Sequence, residues 1–382
     1  MKQALFLIAL LLFFRPGFAQ QTFPENPVQG ARLFSEKGCF RCHSILGQGG
    51  RIGHDLGKIQ LKGTRLNVAS ALLNNARTME EKMQELKIVR SHLTGEEVER
   101  LIAYLYYVNY FDDPGDAARG KALFQTKGCA RCHATGTGGA PSLAQFPRNI
   151  SPIYLAKTLW NHGPRMRSEM SRLGMPWPRF EGAELMDLVT YMKGAAGGTT
   201  KIAANPPGDP NDGRKVFRDK GCPRCHGGEG EKPPNLADPA RGLQENLTQT
   251  VSRLWNHAPQ MFARAGEIHL KTPIFTEKEM ADLVSYIYFL NYFDPAPDPA
   301  VGRRLFVAKQ CSSCHSLGGA VRGIGPDLAT IRNTASAIEI VAAIWNHVPL
   351  MQSVMREQKI PWPHFEKGEL NDLLGYLQSL RK

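Results

Sequence analysis

Three features are scarce or absent in this sequence of 382 residues. Beyond the N-terminal region, no stretch approaches the roughly 18 uninterrupted apolar residues of a membrane-spanning helix, so we predict that the remainder of the chain is soluble and has no membrane span. No basic stretch is interleaved with aromatic residues, which argues against a nucleic-acid partner although the formal net charge is +12. No cysteine stands alone, because all eight occur in four pairs.

The N-terminal segment reads MKQALFLIALLLFFRPGFAQ. A lysine is followed by an apolar run from Ala4 to Phe14, a break at Pro16 and a small residue at Ala19. This layout is typical of a secretory signal peptide, and the run is too short for a stable bilayer anchor. We therefore predict a signal peptide over residues 1–19 and export to the periplasm, which is an oxidising compartment. A retained N-terminal anchor is the alternative.

One motif, two cysteines two residues apart with a histidine directly after them, occurs four times. The copies read KGCFRCH, KGCARCH, KGCPRCH and KQCSSCH, and their first cysteines are 90, 93 and 89 residues apart. Each repeat is therefore the size of a small domain rather than of a solenoid unit. The cysteines are Cys39, Cys42, Cys129, Cys132, Cys222, Cys225, Cys311 and Cys314, and the histidines are His43, His133, His226 and His315.

Other residues recur at the same position in several of the four repeats, and each such set of equivalent positions is called a column. A Gly-x-x-(Leu/Val)-Phe stretch precedes it, Trp-Asn-His-x-Pro follows it in the last three units, and each unit closes on an amphipathic stretch whose spacing predicts a helix. The first and third units end alike in NYFD, whereas the second and fourth share PWP, which indicates a duplicated two-domain module. We predict domains over residues 20–112, 113–196, 213–294 and 295–382, with a Gly/Pro-rich linker over 197–212.

The chemistry of the motif has several candidate explanations. Zinc needs four ligands, usually from two pairs held close together, and here no second pair follows within a repeat. A redox-active thiol pair would follow a strand of an α/β unit, whereas the local pattern is helical. A structural disulfide would leave the four histidines unexplained. Covalent attachment of haem explains the two thiols, their spacing on one helical turn and the neighbouring histidine as an iron ligand.

With these motifs the chain resembles four tandem class I c-type cytochrome domains. The resemblance implies an all-α fold in which the first and last helices of each domain cross beside a covalently bound haem c, with the motif histidine as proximal iron ligand. It places the Gly–Phe column and the closing-helix tyrosines at that crossing: Tyr104, Tyr191, Tyr286 and Tyr376. It also implies that a proline carbonyl orients the proximal histidine. Pro141, Pro234 and Pro326 match, whereas the first unit has His54, which puts its proximal geometry in question.

The sixth iron ligand is open between several columns, and methionine there gives a higher reduction potential than a second histidine. If the four haems are built alike, one column qualifies because every unit fills it: Met79, Met166, Met261 and Met351. The incomplete alternatives are Met83, Met170 and Met355; His162, His257 and His347; and Met175. We expect the tryptophan column of Trp160, Trp255 and Trp345 to pack against the porphyrin or its propionates.

These features predict two duplicated dihaem modules that act as an electron carrier, not as an enzyme. The partners would be redox proteins, namely a membrane respiratory donor and a terminal oxidase or reductase. Two alternatives remain. One is a haem enzyme with an open iron in the first domain. The other is a subunit of a respiratory complex at the membrane periphery, docked through the aromatic run YLYYVNYF.

Overall fold

The computed structural model describes residues 23–24, 27, 29–59, 61, 63–147, 150–196, 208–227, 236, 245–319, 323–330 and 336–380. In these residues the fold is all-α, as predicted, with fifteen α-helices and a single two-stranded hairpin. None of the helices described is long and apolar enough to cross a membrane. The predicted signal peptide, residues 197–207 of the predicted linker and Pro234 lie outside the described residues.

Each repeat forms one helical domain. The first domain contains α1 (Gln29–Glu36), β1 (Ser44–Ile45), β2 (Gln48–Gly49), α2 (Arg65–Asn74), α3 (Ala76–Glu85) and α4 (Gly95–Val108). The second contains α5 (Ala117–Thr126), α6 (Ala130–His133), α7 (Pro152–Arg172) and α8 (Glu184–Ala195). The third contains α9 (Pro210–Asp219), α10 (Pro223–His226), α11 (Leu247–Glu267) and α12 (Glu277–Phe289). The fourth contains α13 (Pro299–Ala308), α14 (Ala337–Glu357) and α15 (Glu369–Ser379).

The closing helices begin where the sequence places their caps. Thr94 accepts a hydrogen bond from the Glu97 backbone N–H, and the Glu97 carboxylate accepts one from the Thr94 N–H. Thr276 and Glu279 form the same reciprocal pair at the start of α12. These caps satisfy N–H groups that the first helical turn leaves without a partner.

The first and last helices of every domain cross at the glycine column. At Gly120 of α5, a Cβ atom would overlap the backbone carbonyl of Asp187 on α8, so only glycine permits this close approach. Gly30, Gly213 and Gly302 lie equally close to a carbonyl of their own closing helix. Beside each crossing, the phenylalanine of the column contacts the predicted tyrosine, as in the pair Phe124–Tyr191, whose ring centroids are 5.6 Å apart. The predicted crossing is therefore confirmed.

The longest helices make their most extensive contacts between domains. Helix α7 of the second domain lies on α11 of the third, and α14 of the fourth lies on α2, α3 and α4 of the first. Gly163 on α7 allows close packing, because a Cβ atom there would fall 2.7 Å from the Phe262 ring on α11. The Trp160 ring packs edge-on against Phe262, at a centroid distance of 5.2 Å.

The asparagine of the Trp-Asn-His motif fixes these two interfaces. Asn161 donates from Nδ2 to the backbone oxygen of Phe275 over 2.8 Å, and its Oδ1 accepts from the Phe275 N–H over 3.0 Å. We call this double hydrogen bond to one residue of the neighbouring domain an asparagine clamp. The described part of the chain contains four such clamps: Asn161–Phe275, Asn256–Phe180, Asn346–Leu93 and Asn74–Phe365.

The tryptophan column belongs to the same interfaces. The indole N–H groups of Trp160 and Trp255 donate to the backbone oxygens of Pro273 and Pro178, at 2.8 and 2.7 Å. Trp345 donates to a backbone oxygen of the first domain in the same manner. These indole N–H groups are therefore bound to the backbone of the neighbouring domain, and the expectation that the tryptophan rings pack against the porphyrin or its propionates stays a prediction.

The first and third domains meet through the aromatic segments that end them. The hydroxyl groups of Tyr106 and Tyr288 each donate to the other residue's backbone oxygen, at 3.3 and 2.7 Å. Both residues are buried. Most of the aromatic run YLYYVNYF is thus buried, although Phe111 at its end is exposed. The dihaem pairing of neighbouring domains expected from the duplication is not shown by the packing of the described residues.

Candidate functional site

Each cysteine pair lies on one short helical turn directly after the first helix of its domain. A residue with positive φ ends that helix: Gly38, Gly128 and Gly221 with φ near 80°, and Gln310 with φ 60°. In every copy the histidine N–H then bonds to the carbonyl of the first cysteine, at 2.9–3.0 Å. The two thiols and the imidazole of each motif are thereby held together on one turn.

The imidazoles are oriented by backbone carbonyls. Nδ1 of His133 lies 3.0 Å from the oxygen of Pro141, and Nδ1 of His315 lies 3.0 Å from the oxygen of Pro326. A proton on Nδ1 that is donated to a carbonyl leaves the lone pair on Nε2, which is the tautomer required for an Nε2 metal ligand. The corresponding loop after His226 lies outside the described residues.

The first domain achieves the same orientation without a proline. Nδ1 of His43 lies 2.9 Å from the backbone oxygen of His54, while the His54 side chain is exposed. The departure from proline therefore does not disturb the proximal geometry, because any residue can supply a carbonyl. Glycine brings the loop close to the ring: a Cβ atom at Gly53 would lie 2.6 Å from Nδ1 of His43, and one at Gly325 would lie 2.7 Å from Nδ1 of His315.

The environment of the thiols is unsuited to thiolate chemistry. Burial raises the pKa of the first cysteine of each pair to about 11: Cys39, Cys129, Cys222 and Cys311. Zinc ligands and redox-active thiols need a stabilised thiolate, so a raised pKa disfavours both explanations. A thioether carries no charge and suits a buried position. Among the residues described, no three His, Cys, Asp or Glu side chains cluster as metal ligands.

The fourth domain has a crevice of about 190 Å³ beside its cysteine pair. It brings His315 of the motif together with Met351, Met355 and His347 of α14 and with Ile360. Residues from three candidate columns for the sixth ligand therefore face one apolar space that begins at Cys311 and Cys314. An imidazole, two partly buried thiols and an apolar wall are the donor set and surround that fit a covalently attached haem.

A family model described as cytochrome c matches the chain over residues 27–109, 117–196, 210–290 and 299–381. The chain belongs to the cytochrome c family. The four matches, each with its cysteine pair, establish a tetrahaem cytochrome with four covalently bound haem c groups and a role in haem-based electron transfer. No curated protein and no solved structure matches the chain.

The methionine column that fills every domain of this cytochrome lies on helices between the motif and the closing helix. Met79 is on α3, Met166 on α7, Met261 on α11 and Met351 on α14, and all four are partly buried. The histidines of the Trp-Asn-His motif are exposed in all three domains that have one. In the fourth domain, a methionine and a histidine of these columns reach the same crevice, so position alone does not choose between them.

Met175 has a different structural setting. Its N–H bonds to the backbone oxygen of Met170 over 2.8 Å, and the preceding Gly174 has a positive φ of 62°. This is a helix C-terminal motif in which an apolar residue follows the left-handed residue. Ile88, Leu270 and Ile360 make the same bond in the other domains, so the methionine here replaces an ordinary apolar residue.

A lysine two residues before each pair was not singled out from the sequence, although it recurs in all four motifs. Lys127 donates to the backbone oxygen of Arg179 over 2.6 Å and forms an ion pair with Glu184 at 2.8 Å. Lys37, Lys220 and Lys309 make equivalent contacts. These lysines tie the attachment turn to the start of the closing helix.

Proposed function

We propose that this cytochrome is an exported electron carrier that works in the periplasm between a membrane respiratory donor and a terminal oxidase or reductase. The observation that carries the proposal is the shared construction of the attachment sites. Every domain holds a cysteine pair and histidine on one turn, and every domain places a partly buried methionine on the next long helix or its counterpart. A haem with both axial positions filled cannot readily bind substrate, which favours a carrier.

We assign the proximal ligands to the motif histidines and the sixth ligands to the complete methionine column. The pairs are His43 and Met79, His133 and Met166, His226 and Met261, and His315 and Met351. The bound haem supplies the one-electron chemistry. The protein residues fix the imidazole tautomer, exclude water and set the potential through the axial sulfur.

Two observations weigh in favour of the carrier over the alternative functions. The enzyme hypothesis depended on a first domain built unlike the others, yet His43 is held by a carbonyl as His133 and His315 are. The hypothesis of docking through the aromatic run required that run to be exposed, whereas Tyr106 is buried against the third domain.

A redox titration of the purified holoprotein, followed by carbon monoxide addition to the reduced form, tests the proposal. We expect four low-spin haems with Met-type potentials and no spectral change on adding carbon monoxide. Rapid carbon monoxide binding by any one haem would contradict full axial ligation and would favour the enzyme hypothesis.

A further inference from the structure

We propose that the four domains form a row in the spatial order second, third, first, fourth, and that electrons pass through them in that order. The second and fourth domains would then be the ones that exchange electrons with partner proteins. This inference rests on the electron-carrier function proposed above. It departs from the order along the chain and from a wire of two dihaem modules.

The outer contacts of the row join the helices that carry the candidate sixth ligands. Helix α7, with Met166, packs on α11, with Met261; helix α14, with Met351, packs on α3, with Met79. Packed helices lie about 8–10 Å apart axis to axis, so the candidate sixth ligands of these neighbouring domains lie on two helices in direct contact. Domains adjacent along the chain, first with second and third with fourth, share no helix–helix interface of comparable extent within the described residues.

The central contact joins the first and third domains through matching polar bonds. Asp112 accepts hydrogen bonds from the backbone N–H and side-chain hydroxyl of Thr248, at the start of α11. Asp294 accepts in the same way from Thr64 and from the N–H of Leu66, at the start of α2. Each of these two domains therefore caps a helix of the other. Both capped helices lead into the ligand-bearing segments of the outer contacts.

The alternation in the sequence matches this row. The NYFD endings occur only in the first and third units, which are the inner domains, and the PWP segments occur only in the second and fourth, which are the outer ones. Trp177 and Trp362 of the PWP segments donate to the backbone oxygens of Trp255 and Leu73, which belong to the adjacent inner domains. The PWP segments of the outer domains thus make contacts to the inner domains, as the proposed row requires.

Electron tunnelling weakens steeply with distance, so neighbouring domains in the row are the favoured steps. The same neighbours should influence each other's potential most strongly, because the charge change on reduction acts through a Coulomb term that decreases with separation. The order of the row therefore affects both the rates of electron transfer between domains and the equilibrium reduction potentials.

A protease site inserted between Thr199 and Thr200 tests the arrangement without reference to electron transfer. The full-length holoprotein is cut there, complete cleavage is checked on a denaturing gel, and the native product is run on size exclusion. All three proposed interfaces cross between the halves, so we expect one species of unchanged mass. Two species of about half mass would overturn the row and support independent modules of neighbouring domains.

The order itself is tested by a redox titration of the uncut holoprotein followed by NMR. Each haem is identified through nuclear Overhauser contacts to its thioether cysteines, and pairwise interactions are fitted from the shifts. We expect the largest interactions for second with third and first with fourth. The first–third interaction should fall in Asp112→Ala/Asp294→Ala while the other two stay unchanged. Largest interactions between chain neighbours would refute the order, even if all four haems remain low-spin and the carrier function stands.

Discussion

The two adjacent asparagines of the first domain allow a matched test of the asparagine clamps. Asn74 forms a clamp to Phe365 of the fourth domain, with Nδ2 to oxygen at 3.0 Å and N–H to Oδ1 at 2.8 Å. The Asn75 side chain is exposed and donates to the Ala71 oxygen of α2. The same substitution at neighbouring positions therefore removes either an interdomain clamp or a surface bond.

The expected cost of Asn74→Ala follows from the groups left behind. The variant removes two hydrogen bonds and leaves the N–H and carbonyl of the buried Phe365 without these partners. A buried polar group that loses its partner costs about 1–3 kcal/mol, so for these two groups we expect a total loss of roughly 2–6 kcal/mol. For Asn75→Ala, a surface change, we expect less than about 0.5 kcal/mol.

Urea unfolding of the holoprotein, followed by far-ultraviolet circular dichroism, measures both variants. We expect Asn74→Ala to lower the midpoint of the transition that includes the first and fourth domains, with Asn75→Ala close to wild type. Equal midpoints for the two variants would show that the clamp does not stabilise the interface, and the reasoning behind all four clamps would fail.

Three further predictions follow from other contacts. Gly120→Ala should destabilise the second domain by about 1–3 kcal/mol in thermal unfolding, because its Cβ would overlap a carbonyl of α8, whereas Gly194→Ala, in open space on the same domain, should be neutral or stabilising. Met351→Ala should abolish the sulfur-to-iron absorption band of one haem, and Met355→Ala should keep it. The reverse pattern would assign the sixth ligand to the incomplete column that contains Met355. Burial raises the pKa of the Asp112 carboxyl from 3.8 to about 6. The folded state then binds more protons than the unfolded state between pH 4 and 6, so the free energy of unfolding should fall by an amount on the order of 2–3 kcal/mol as pH rises through that window. Asp112→Asn should flatten this part of the pH profile. An unaltered profile would show that another group causes the pH dependence.

The fold inside each domain could be predicted from the sequence because its determinants are local and repeated. A glycine that recurs at the same position in all four repeats indicates that a side chain does not fit there. The structure shows a backbone carbonyl where the Cβ atom would lie at each of these glycines, Gly30 and Gly302 included. The capping boxes at Thr94 and Thr276 needed only residues three apart. Fourfold repetition separated these signals from chance.

Contacts between domains could not be predicted in this way. Asn161 and Phe275 are 114 residues apart, and Asn74 and Phe365 are 291 apart. A column of asparagines has the same appearance whether it caps its own helix or binds a neighbouring domain. The proximal loop of the first domain was misjudged for another reason: the sequence displays side chains, whereas His54 contributes its backbone carbonyl.

One interface detail distinguishes domains that are built alike. Proline at 259 has no N–H, so the helical bond to the oxygen of Trp255, four residues earlier, cannot form inside α11. The indole of Trp177 from the second domain donates to that oxygen at 3.2 Å, and its ring stacks on Trp255 at a centroid distance of 4.0 Å. In the fourth–first interface, Arg90 takes the stacking role, with its guanidinium 4.0 Å from the Trp345 ring. A proline shared by three repeats thus leaves the backbone oxygen four residues earlier without its helical N–H. The residue of the partner domain that packs on the tryptophan differs between the interfaces: it is Trp177 in one and Arg90 in the other. This difference favours second with third and fourth with first over other pairings of the same helices.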